Sequence, residues 1–111
     1  MGIVRTKPIQ KQFHNRSIST SEIAIVSEKE FRTRGENFII VKDVDSCKIL
    51  LDYSTTDYVT IKALTNVLIL PSIGKIDEEF DEVLISKGAC VEFVYTTGNW
   101  YIMSSDGLKQ S

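Results

Sequence analysis

Apolar residues along this chain fall in short runs of three to seven positions, rich in Val, Ile, Phe and Tyr and separated by turn residues. That texture begins at Ser21 and predicts an all-β body. The expected strands are Ile23 to Val26, Asn37 to Lys42, Cys47 to Asp52, Tyr58 to Ala63, Asn66 to Leu70, Val83 to Ile85, Cys90 to Thr96 and Asn99 to Met103. Turns recur every ~8–12 residues, as in a small antiparallel β-sandwich or barrel-like module. The segment from Ser27 to Thr33 is open to a helical turn, since Glu28, Lys29 and Glu30 permit one.

Within these runs the alternation assigns faces. Tyr58 to Lys62 places Val59 and Ile61 on one side and Tyr58, Thr60 and Lys62 on the other. Val67-Leu68-Ile69-Leu70 does not alternate, so this run is either buried on both faces or part of a contact between subunits. Thr97-Gly98 lies between two aromatic-rich runs and predicts a hairpin. Tyr95 then pairs with Trp100 and Phe93 with Ile102, and Val91, Phe93, Tyr95, Trp100 and Ile102 share one face.

Residues 1–20 have neither periodicity and contain Pro8, so they read as an extended N-terminal arm before a β-rich body at 21–111. Charge sharpens the division. The arm holds Arg5, Lys7, Lys11 and Arg16 and no acid, a charge of +4; with the whole chain at −2, the remainder carries −6. A basic arm on an acidic body fits an anchor that gains order when it meets a partner, and it fits an ordinary frayed terminus equally well.

With 111 residues the chain allows one domain, and 42% apolar with 25% charged residues is ordinary globular composition. No apolar run is long enough to span a bilayer, and the start lacks the apolar core of a secretory signal. Gly2 followed by Thr6 fits a myristoylation pattern only superficially. Cys47 and Cys90 lack metal-ligand spacing and read as two thiols of a protein made in the cytosol, a single disulfide being the minor alternative.

Little here points to chemistry. The one histidine, His14, lies in the arm beside Asn15, away from any element that would fix it for a catalytic triad. The acidic run Asp77-Glu78-Glu79-Phe80-Asp81-Glu82 lacks the glycine turn and ligand spacing of a calcium loop, and reads as a solvated loop extended by its own repulsion. The six glycines are scattered and form no phosphate cradle. Nucleic acid is disfavoured by the acidic body, because phosphate binding needs a basic surface. These features predict a protein that is not an enzyme and holds no metal or cofactor.

From Cys47 to Met103 the chain resembles a β-module of tailed-phage virion proteins, of the head-fibre, decoration or tail-fibre type. The pieces that carry the resemblance are Lys48-Ile-Leu-Leu51, Tyr58-Val-Thr-Ile-Lys62, Asn66-Val-Leu-Ile-Leu-Pro71, Gly74-Lys-Ile-Asp77, Leu84 to Phe93 and Gly98-Asn-Trp-Tyr-Ile102, in that order. The resemblance implies a structural component of a phage particle, a capsid decoration or head-fibre protein, located in the virion and forming homotrimers. On that reading Arg5, Lys7, Lys11 and Arg16 dock on the major capsid protein or another virion protein. Val67, Leu68, Ile69 and Leu70 would form the oligomer interface. The alternative is a glycan-binding or tail-fibre/baseplate module acting in host adsorption, with Tyr53, Tyr58 or Tyr101 as stacking surfaces.

Overall fold

The computed structural model describes residues 23–106. These form nine strands: β1 (Ile23–Val26), β2 (Glu30–Arg32), β3 (Phe38–Val41), β4 (Ser46–Leu51), β5 (Tyr58–Ala63), β6 (Asn66–Pro71), β7 (Val83–Ile85), β8 (Cys90–Thr96) and β9 (Asn99–Asp106). The described residues contain no helix, so the fold is all-β. The predicted strands are present with ends shifted by at most a few residues. The segment open to a helical turn is instead the short strand β2, which places Phe31 inward between exposed Glu30 and Arg32.

The pairing differs from an antiparallel sandwich. One sheet has the order β1-β3-β5-β8-β9 and the other β2-β4-β6-β7. From β1 to β6 the chain alternates between the sheets, and each strand pairs in parallel with the one two places earlier. The first six strands are therefore three turns of a flattened coil. Ile23 lies beside Phe38 and Phe38 beside Thr60, steps of 15 and 22 residues. In the second sheet Glu30 lies beside Lys48 and Ser46 beside Asn66, steps of 18 and 20. A parallel pair needs a crossover, commonly a helix; here the crossover is a strand of the opposite sheet. After β6 the chain reverses, and β7, β8 and β9 add antiparallel to β6, β5 and β8.

Parallel register stacks like on like, and this builds the core. Inward rows run Ile39–Ile61–Val91 and Val26–Val41–Ala63 in the first sheet. Facing them in the second sheet are Phe31–Ile49–Ile69 and Cys47–Val67–Ile85. All of these side chains are buried. Each large one contributes about 1.5–3 kcal/mol by leaving water, and the β-branched majority suits a pleated surface.

The C-terminal hairpin pairs Tyr95 with Trp100 and Phe93 with Ile102 across a two-residue loop, as its pattern predicts. Thr97 and Gly98 both have positive φ, 49° and 89°, the geometry of a type I′ turn. A bulge between Glu92 and Phe93 shifts the register beyond Ile102, so Val91 lies beside Ser105.

Candidate functional site

The same alternation that fills the core decides what the outside presents. In β4, inward Cys47, Ile49 and Leu51 leave Ser46, Lys48 and Leu50 on the outer face. In β6, Val67 and Ile69 point in, and Leu68 and Leu70 point out. Cross-strand register then assembles two rows on the outer face of the second sheet: Glu30–Lys48–Leu68–Leu84 and Arg32–Leu50–Leu70. Leu84 is 61% exposed. Shallow grooves lie along both rows.

This arrangement corrects the expectation for Val67, Leu68, Ile69 and Leu70. Val67 and Ile69 are fully buried and have no surface to offer a partner. Leu68 and Leu70 remain available, joined by Leu50 and Leu84, which the pattern did not single out. Runs such as Ile49-Leu50-Leu51 are apolar at every position, so only the strand register shows which leucine faces water.

The acidic run is not an extended loop. Asp77 and Glu78 adopt left-handed backbone, at φ 54° and 62°, and the segment is latched to β9. The Asp77 N–H donates to the Trp100 carbonyl at 2.7 Å, and the Trp100 N–H to the Lys75 carbonyl at 2.9 Å. The Asp77 carboxylate accepts from the Ile102 N–H, and Glu78 accepts from the Tyr101 hydroxyl. Lys75 pairs with Asp81. Hydrogen bonds to fixed donors offset the repulsion expected among neighbouring carboxylates. No group of three or more His, Cys, Asp or Glu side chains among the described residues is placed to hold a metal ion.

A second carboxylate is structural. Asp52, only 7% exposed, ends β4 and ties it to β2. It accepts from the Ser54 hydroxyl at 2.6 Å, the Ser54 N–H at 3.0 Å and Arg32 Nε at 2.8 Å. Its own N–H donates to the Thr33 hydroxyl. The bonds from Ser54 and then Arg32 lower its pKa from 3.8 to about 2. A depressed carboxylate pKa adds stability that is present above the unfolded value and lost as pH falls through the folded one. Here that window runs from near pH 4 down to about 2. Melting temperatures of the native chain and Asp52→Asn, measured from pH 6 to pH 2, should converge through that window.

The outer face of the first sheet carries a polar centre. The Tyr58 hydroxyl donates to Glu92 at 2.6 Å, and the Ser104 hydroxyl to the other oxygen of Glu92 at 2.9 Å. Burial, reinforced by Glu92, raises the Tyr58 pKa. Tyr58, Val94 and Tyr101 form one row. Tyr53 is elsewhere, stacked on Tyr95 with ring centroids 5.1 Å apart. The three tyrosines therefore do not share one face. Cys47 lies in the core of the second sheet and Cys90 on the outer side of the first, so the two thiols are separate and free. Burial pushes Cys47 up to about 11 and raises Cys90 as well, which keeps both in the unreactive thiol form.

Arg5, Lys7, Lys11 and Arg16 lie outside the described residues, as does His14. Among the described residues no helix is long and apolar enough to cross a membrane. No family model matches the chain, and no curated protein matches it.

Proposed function

We propose that this chain is a structural assembly module without catalytic activity. Its setting is the one its sequence resembles, a tailed-phage particle in which it serves as a capsid decoration or head-fibre protein. The observation that supports the assembly reading is the outer face of the second sheet. Leu50, Leu68, Leu70 and Leu84 lie in adjacent register there, and large apolar side chains grouped on a solvent face mark contact surfaces. The occupants are the corresponding faces of two further copies, gathered around a three-fold axis. Glu30 lies on it beside Lys48, with Arg32 one row away, so a symmetry-related copy can set opposite charges against each other around the leucines. Arg5, Lys7, Lys11 and Arg16 would hold the assembly to an acidic surface of another virion protein.

Light scattering on the full chain tests the reading. The native protein should have a mass that is a multiple of 12.5 kDa, three times that value for the expected trimer. Leu68→Lys combined with Leu84→Glu puts opposite charges on a cross-strand pair, which preserves the sheet, and should give a folded monomer. A native monomer would sink self-assembly and favour the glycan-binding alternative, for which the Tyr58–Val94–Tyr101 row is the surface to probe.

A further inference from the structure

The outer face of the second sheet carries opposite charges at its two margins. The row Arg32–Leu50–Leu70 runs from β2 to β6. Beyond it Leu68 lies beside Leu84 and Ile69 beside Val83, so the next antiparallel step sets Glu82 beside Leu70. Leu84 is exposed and Val83 packs against the core. Alternation then returns Glu82 to the outer side, and Glu82 is exposed. From margin to margin the row reads cation, leucine, leucine, carboxylate, across three strand spacings or about 14 Å. The adjacent row Glu30–Lys48–Leu68–Leu84 keeps its acid and its base side by side at one end.

Both ends of this row can reach outward. Asp52 holds Arg32 at Nε, 2.8 Å away, yet the arginine side chain is 60% exposed. A guanidinium oriented in this way keeps its Nη donors and loses little further freedom on meeting a second carboxylate. On the other margin Asp77 and Glu78 are bonded to β9, and Asp81 to Lys75. No salt bridge among the described residues engages Glu82. Symmetry decides whether the two ends can meet. Copies related by an axis along the strands keep their rows at one height. The β2 margin of one then meets the β7 margin of the next, a head-to-tail contact that can close into a ring. A two-fold axis across the strands would instead set β2 on β2, with Arg32 near Glu30.

We infer, given assembly through the leucine face, that Arg32 of one copy pairs with Glu82 of the next. Burial of Leu50, Leu68, Leu70 and Leu84 supplies the attraction, and apolar burial is non-directional. The charge pairs at the margins supply what it lacks, fixing which edges meet and at what height.

Light scattering on the full chain over a dilution series tests this, with Glu82→Lys, Glu82→Gln and Glu30→Lys as variants. Arg32 is left in place because it anchors Asp52. Glu82→Lys should raise the concentration at which the assembly dissociates at least about 10-fold, since like charges then meet at every contact. Added salt should weaken the native assembly and strengthen that of Glu82→Lys, because it screens attraction in one and repulsion in the other. Glu82→Gln should fall between the two, and Glu30→Lys should match the native chain. If Glu82→Lys does not fold, Glu82→Gln decides alone, and a midpoint equal to the native one overturns the pairing. Native-like assembly by Glu82→Lys, while Leu68→Lys with Leu84→Glu is monomeric, would also overturn it and leave the leucine contact standing. Dissociation by Glu30→Lys and not by Glu82→Lys would overturn it as well, because the copies would then be related by the cross-strand axis. A native chain that is monomeric at every concentration would overturn both the pairing and the assembly.

Discussion

Replacing Trp100 by alanine is expected to lower the unfolding free energy by about 3–5 kcal/mol, the cost of deleting a large aromatic side chain from a packed core. Trp100 is fully buried. Its ring centroid lies 5.4 Å from that of Tyr95, and its backbone N–H and carbonyl both bond to the 75–77 segment. Alanine keeps those backbone bonds and loses only the indole, so the effect reports packing. In a domain of this size the loss corresponds to a fall in Tm of at least about 12 °C. The indole N–H has no hydrogen-bond partner among the described residues, and an unsatisfied buried donor is itself a cost. Trp100→Phe should lose less than the alanine variant, because it keeps an aromatic ring in the site and removes the unpaired donor. Urea midpoints for the three proteins decide the matter. An alanine variant as stable as the native chain would mean that the indole is not part of the core.

Gly74→Ala is the second substitution with a large expected effect, though it adds a single methyl group. Gly74 has φ +73°, and a Cβ built there would lie 1.9 Å from the Gly98 carbonyl oxygen and 2.9 Å from Asn99 Oδ1. The first neighbour is backbone, so relief requires the β8–β9 turn to move. The second accepts the hydrogen bond of the Lys75 N–H at 2.9 Å, which displacement would break. Gly98 is the internal control. It also has positive φ, +89°, but a Cβ there meets nothing within 4 Å. Gly98→Ala should show only the conformational term, roughly 1–2 kcal/mol. Gly74→Ala should exceed it by at least about 1 kcal/mol for the lost hydrogen bond, before any cost of moving the turn. Equal losses in thermal unfolding would show that the turn yields freely to the added methyl.

These two sites lie in the part of the chain most open to reading from its pattern. The hairpin pairs Tyr95–Trp100 and Phe93–Ile102 were legible because a two-residue turn at Thr97-Gly98 sets register locally. The short strand β2 was not. Three residues with one apolar position carry too little periodicity to separate a strand from a helical turn. The outer leucines were half legible: an apolar run marks a strand, but not which of its faces meets water.

Alternation, turn residues and β-branched content were enough to establish an all-β body from Ser21, the place of most strands, and the shared inward face of Val59 and Ile61, because each of these is a local property of the backbone. Which strands become neighbours is not local. A parallel β1-β3-β5 order and an antiparallel one demand the same alternation from each strand, and they differ only in how the connections cross between sheets. The tertiary structure alone decided that the chain coils. With that it decided that Leu68 and Leu84 meet on the outside, that Asp77 latches onto β9, and that β2 lies beside β4.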